Sequence, residues 1–302
     1  MQQFRHFVCL LLFLPAALPA APPEPPPLWS RENLFAWCIV PFDAKKRSPA
    51  ERADMVVKLG LKKVAYDWRE NDVPHFEEEI LEYQKHGIEF FAFWDAHEKA
   101  FALFEKYGLH PQIWVTAPSP DAPAQEDRVK QAAQQLLPIV ERARKLGCKL
   151  GLYNHGGWGG EPENLVAVAE ALRKQTDAGH VGIIYNFHHG HGHIARFAGW
   201  WKTMQPLVLA VNLNGMETGG DAKGRKILHL GEGDRELEMM RVIEASGWRG
   251  PVGIIDHRPE TDSEETLRNN LRGLEWLKGE LVKPGSGGAK PFADPSAEAR
   301  GK

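Results

Sequence analysis

Residues 147–193 decide the fold. After Gly147 the chain reads C-K-L-G-L-Y-N-H-G-G-W-G-G-E-P-E-N as far as Asn164, and from Val181 to His193 it reads V-G-I-I-Y-N-F-H-H-G-H-G-H. Each half is a short apolar run that ends in an amide, histidines and glycines and then gives way to a helical pattern. A buried strand stopping at polar side chains and flexible glycine is how a barrel or an open α/β sheet presents a site at the carboxyl ends of its strands. The chemistry is therefore expected around Asn154, His155, Asn186, His188 and His189.

Outward from that stretch the same unit recurs. Apolar, β-rich runs occur at 35–41, 63–67, 88–94, 112–116, 149–154, 181–187, 207–213 and 252–256. Their near-continuous apolar character suits parallel strands covered on both faces. Helical patterns fill the gaps. Ser48-Pro-Ala-Glu51 reads as a capping box with proline at the first helical position, and Pro162, Leu165, Val168, Ala169 and Leu172 fall on one helical face. Gly60, Gly87, Gly108, Gly147, Gly179 and Gly247 each stand between a helix and the next strand, where a left-handed residue ends a helix without steric cost. Strand–helix alternation on this scale predicts a single-domain (β/α)8 TIM barrel over 34–282, with an open doubly wound sheet as the alternative. No G-x-G-x-x-G follows the first strand, which argues against a dinucleotide fold.

The flanks read differently. Residues 1–20 have the charged start, short apolar run and small-residue end of a secretory signal peptide, too short to span a bilayer at roughly 20 residues. The expectation is a secreted or periplasmic protein with no lasting membrane contact. Residues 21–33 form a proline-rich spacer, and Gly, Pro, Ser, Ala and Lys from 283 to 302 suggest a disordered tail. With 302 residues, 43% of them hydrophobic, the chain can bury a full core, while a net charge of −3 leaves no basic field for nucleic acid. Cys38 and Cys148 fall at the first and fifth predicted strands, on opposite sides of a barrel, so both are expected as free thiols.

Around the strand ends, tryptophan recurs beside amides, carboxylates and arginine. Aromatic faces stack on sugar C–H faces and the polar groups bind hydroxyls, so the rim suits a small-molecule sugar. Trp37, Trp68, Trp158, Asn154, Asn186, Asn212 and Arg258 are the candidate binding residues, although such tryptophans also pack under loops. Asp67 and Asp256 each end an apolar strand, where burial raises a carboxyl pKa, and with His189 they are the candidate acids and bases. Asp95, also at a strand end, reads instead as a helix N-cap.

The motifs L-G-L-Y-N-H-G-G at 150–157, V-G-I-I-Y-N-F-H-H at 181–189 and the ending G-E-G-D-R-E-L…S-G-W-R-G-P-V-G-I-I-D-H at 231–257 resemble the xylose-isomerase-like TIM barrels, a superfamily of sugar isomerases and epimerases. The resemblance covers roughly 30–282. It implies a divalent metal held by Glu after strand five, Asp and His after strand six, His at strand seven and Glu at strand eight. The matching positions here carry Asn154, Asn186 with His189, Asn212 and Asp256, so three of the four principal ligands are amides. An amide brings no charge to a hard cation and cannot accept a proton as a base. A Zn or Mn ion on His155, His189 and Asp256 is the remaining metal expectation. Two functions follow: a divergent isomerase, epimerase or lyase acting on a free or oxidised sugar outside the cytoplasm, or a carbohydrate-binding barrel that has lost catalysis.

Overall fold

The computed structural model describes residues 27–292. The signal peptide, the first part of the spacer and the last ten residues lie outside that range. Eight parallel strands, β1 Leu34–Trp37, β2 Lys63–Asp67, β3 Glu89–Trp94, β4 Gln112–Thr116, β5 Leu150–Tyr153, β6 Val181–Asn186, β7 Val208–Leu213 and β8 Val252–Ile255, close into a barrel in sequence order. Between and after them run α1 Pro49–Lys58, α2 Phe76–Lys85, α3 Glu98–Tyr107, α4 Gln125–Lys145, α5 Pro162–Thr176, α6 Phe197–Met204, α7 Glu236–Ala245 and α8 Ser263–Val282. Among the described residues no helix is long and apolar enough to cross a membrane.

The local signals act as their chemistry dictates. Ser48 caps α1, its hydroxyl accepting from the Glu51 amide at 3.4 Å while the Glu51 carboxylate accepts from the Ser48 amide at 2.9 Å. Five of the six helix-ending glycines adopt the left-handed conformation, and after α5 Asp177 takes it in place of Gly179. Asp95 does not cap α3. His97 does, its ring nitrogen accepting from the Lys99 amide at 3.1 Å.

Two stretches flanking the barrel are held against it among the described residues, despite their composition. Within the spacer, Leu28 and Trp29 are buried and the Asn33 amide donates to the Leu28 and Gly250 carbonyls, closing the floor of the barrel. Beyond α8, residues 283–292 are not a disordered tail. They turn back along the helix, where Phe292 stacks on His229 at 5.2 Å and under Arg272, and Lys290 donates to the Gly233 carbonyl at 2.8 Å.

The strand period of two divides the core into two clusters. Phe35, Trp37, Ala65, Ala92, Trp114, Tyr153, Ala210 and Ile255 fill the barrel interior, while the other parity packs outward on the helices. Cys38 and Cys148 are both buried and free. Arg52 of α1 and Glu79 of α2 form a buried ion pair with bonds of 2.7 and 3.0 Å, and the same guanidinium donates to the Ile39 and Arg47 carbonyls. That group ties the first two outer helices to the loop after β1.

Candidate active site

Interior parity decides which strand-end residues face the barrel mouth. Ala65 points inward, so Asp67 at the end of β2 does as well, and the same rule brings Trp37, Trp94 and Tyr153 to the mouth. They join Cys38, Phe42, Arg69, His155, His188, His189 and His257 around a hollow of about 50 Å³. Cys38 and His257, the first after its strand and the second two residues after, both have positive φ, at 61° and 64°. Non-glycine residues pay conformational energy there, and here the bend turns both side chains back over the mouth.

The four imidazoles form a continuous arc. Ring centroids lie 4.6 Å apart for His155 and His189, 3.7 Å for His189 and His188, and 5.2 Å for His188 and His257. Phe42 stacks on His257 at 3.9 Å and Trp94 flanks His155 at 5.6 Å, closing the arc at each end. Burial lowers the pKa of all four. His155 and Lys226 then help push His189 down to about 3, and His189 adds to the depression of His188. At neutral pH the arc is therefore uncharged, and each ring offers a donor and an acceptor. His188 is fixed by Asn186, with Nδ1 2.7 Å from the amide oxygen.

Asp67 faces this arc. It is 1% exposed and neither carboxylate oxygen has a hydrogen-bond partner among the described residues. Burial raises its pKa to about 7, opposed by Arg69, whose Nη1 is 4.0 Å away. The neighbouring Cys38 thiol is held protonated, its pKa driven up by burial and by Asp67. A carboxyl group that titrates near neutrality among neutral imidazole and aromatic rings is a competent proton carrier.

Asn154 and Asp256 lie elsewhere for one shared reason, their strand parity, whereas Asn186 and Asn212 have the interior parity of Ile184 and Ala210 without lining the hollow. Because Tyr153 points inward, Asn154 points between strands; its amide donates to the Asn186 carbonyl at 3.0 Å and accepts from the Asn186 amide at 2.8 Å, pinning β5 to β6. Because Ile255 points inward, Asp256 faces α8, accepts from the Ser263 hydroxyl, and is raised to about 8 by burial, against the pull of that bond. Asp256 does not line the hollow. Asn186 donates to the Tyr153 hydroxyl, which also accepts from Trp37 at 3.3 Å. Asn212 is fully buried, and among the described residues neither of its amide atoms has a partner.

Trp68, Trp158 and Arg258 are wall residues. Trp68 packs on Phe76 and His97, Trp158 donates to Gln125 beneath the Arg128 guanidinium, and Arg258 reaches His229 at 3.1 Å. Of the seven expected sugar contacts, only Trp37 lines the hollow. Cys38, Phe42 and Tyr153 do so without having been singled out. Tyr153 was recoverable from strand parity alone, whereas the two loop residues carry no comparable signal. A larger groove of about 630 Å³ lies between the loops after β1 and β2, and four of its charges, Asp43, Arg47, Arg52 and Glu79, are already paired with one another or with the backbone.

The family-level metal site does not fit this donor set. Among the described residues no three His, Cys, Asp or Glu side chains converge to hold an ion. His155 and His189 are adjacent, but Asp256 is turned toward Ser263, and Asn154 and Asn186 spend their amides on each other and on Tyr153 and His188. Protein purified without a His-tag is expected to carry well under one equivalent of Zn or Mn by elemental analysis. A stoichiometric ion lost in His155→Ala would overturn that expectation.

A model of xylose isomerase-like TIM barrels matches residues 80–279. The chain belongs to that family. No curated protein matches it by sequence. Among solved structures, this family member resembles 3-keto-D-glucoside 4-epimerase YcjR from E. coli at 16% identity and TM-score 0.59, covering 82% of this chain and 99% of that one. It resembles a D-tagatose 3-epimerase-like protein at 16% and 0.59, covering 85% and 99%. The zinc-containing IolI protein aligns at 12% and 0.62, covering 86% and 99%. At such identities the likeness establishes the barrel, and this member's own residues must carry its chemistry.

Proposed function

We propose that the protein is a sugar-modifying enzyme that moves a proton at a carbon next to a carbonyl, as an isomerase, an epimerase or a lyase does, on a free or oxidised sugar. The observation that carries this reading is Asp67: a buried, unpartnered carboxyl with a pKa near 7, facing histidines across a closed ring. β2 and β6 lie four strands apart in a ring of eight, so Asp67 and His189 stand on opposite walls of one hollow. A substrate carbon between them can lose a proton to the Asp67 carboxylate, and the carboxylic acid so formed can return it to that carbon or its neighbour, while the uncharged His189 ring on the opposite wall holds the sugar by hydrogen bonds. Neutral N–H groups of His155 and His188, the latter oriented by Asn186, can donate to the oxyanion that develops on the carbonyl. The epimerases among the structural neighbours support the same class.

An unphosphorylated substrate is favoured by what fills the usual phosphate seats. TIM barrels commonly bind phosphate with backbone amides of the loops after strands seven and eight. Here the buried Glu236 carboxylate accepts from the amides of Met216, Gly231 and Gly233, each at 3.0 Å. At the start of α8, Asp43 and Asp262 accept from the amides of Ser263 and Glu264 at 3.2 and 2.9 Å. The chain's own anions occupy both seats.

A carbohydrate-binding barrel without catalysis is the competing reading, favoured by the three amides at the family's ligand positions. Proton–deuterium exchange separates the two. In D2O, NMR of a panel of aldoses, ketoses and keto sugars is expected to show enzyme-dependent exchange at one carbon. His189→Gln should slow it about 100-fold or more while leaving the melting temperature within a few degrees. Sugar binding without exchange at any carbon would establish the binding reading. The apolar run at 7–14 also leads us to propose that the enzyme works outside the cytoplasm.

A further inference from the structure

The hollow is far smaller than the roughly 300 to 1,000 Å³ of ordinary small-molecule pockets. A sugar ring cannot enter it whole, so one functional group goes in and the remainder lies across the rim. The charges on that rim then select the sugar. Among the described residues, Arg69 is the only permanent cation lining the hollow, and Asp67 the only carboxylate. The Arg69 side chain is 49% exposed, one nitrogen bonded to the Trp68 carbonyl at 2.7 Å and the guanidinium carbon 5.3 Å from the Phe42 ring centroid. Phe42 is itself backed by His257. The fork is thus positioned from below while most of its N–H groups remain open to the rim.

We propose that the substrate is an acidic sugar, and that Arg69 receives its carboxylate at the lip of the hollow while the adjoining carbon enters between Asp67 and the histidine arc. A planar guanidinium pairs with a carboxylate through two parallel N–H···O bonds, so it fixes orientation as well as charge. With Asp67 4.0 Å from the same guanidinium, a carboxylate seated there brings the neighbouring C–H within the reach of the base. Lys226, in the loop between β7 and α7, adds positive potential on the other side, near enough to depress His155, His188, His189 and His257. Its backbone carbonyl is tied down by His191 at 2.9 Å. Phosphate is disfavoured because the backbone seats that would take it are filled by Glu236, Asp43 and Asp262.

This assignment rests on the proton-transfer reading but is tested separately from it. Calorimetric titration at pH 7 and low salt would compare glucuronate and galacturonate with glucose, galactose and glucose 6-phosphate, on the wild-type protein, Arg69→Gln and Arg69→Lys. The uronates are expected to bind at least tenfold more tightly than the neutral sugars, Arg69→Gln to abolish that preference, and Arg69→Lys to retain part of it. Equal affinity for neutral and acidic sugars, a preference that survives Arg69→Gln, or tighter binding of the phosphate would each overturn it. Should neutral sugars show Asp67-dependent deuterium exchange without any uronate preference, proton transfer stands and the carboxylate assignment falls. Should uronates bind through Arg69 with no exchange in any sugar, the carboxylate assignment stands and proton transfer falls.

Discussion

Asp67→Asn is expected to abolish turnover and stabilise the protein at once. The amide keeps the shape of the side chain but cannot carry a proton, so solvent exchange into a bound sugar should fall by about 1,000-fold or more, within the range for loss of an acid–base group. The stability effect has the opposite sign. Asp67 is raised from 3.8 to about 7 by burial, so the folded state holds its proton over a pH range in which the unfolded chain has lost it. Stability therefore declines as pH climbs from about 4 to about 7 and then levels off, the reverse of a salt-bridged carboxylate. The penalty at pH 7 and above is at most about 4 kcal/mol. Asparagine removes it, so the variant should unfold at higher temperature than the wild type at pH 8, with little difference at pH 4. Thermal melts at both values, run beside the exchange assay, test both halves. A variant that loses activity and stability together would mean that Asp67 is a structural group.

Arg52→Ala should produce the largest loss of stability. The change leaves the Glu79 carboxylate buried at 1% exposure with its partner gone, and it frees the Ile39 and Arg47 carbonyls that the guanidinium also satisfies. Breaking one side of such a pair costs about 3 to 5 kcal/mol, because a buried charge is left without compensation. For a chain of this size that corresponds to a fall in melting temperature on the order of 10 °C. Replacing both partners, as Arg52→Met with Glu79→Leu, should recover most of it, since apolar side chains of similar volume require no counter-charge. A single-variant loss below about 1 kcal/mol in urea unfolding would show that water reaches Glu79 from the adjoining groove.

The architecture was legible because its determinants are short-range. Capping at Ser48, left-handed glycines between helices and strands, and apolar runs of strand length are each readable within a few residues, and together they define the order β1 to β8. The site was legible only in part. Asp67 and the histidines at 155, 188 and 189 follow from their strand-end positions, and all of them reach the mouth. Asn154 and Asp256 were misplaced by a single residue of register: on a strand, neighbours face opposite sides, and the inward positions belong to Tyr153 and Ile255. A motif centred on the most chemically conspicuous residue cannot show this, whereas the alternation of Leu150, Gly151, Leu152 and Tyr153 can. Cys38, Phe42 and His257 owe their position to backbone bends after β1 and β8, and no sequence period marks such bends.

Glu236 acts as a tethered rival for any anion that approaches the loops after β7. Being covalently part of the fold, it contests those three amides at an effective concentration of about millimolar or more, which a freely diffusing competitor must exceed. If the substrate is an unphosphorylated sugar as proposed, discrimination against phosphorylated ones would in this way be written into the scaffold itself, beneath the surface that meets the substrate, whatever residues the rim presents.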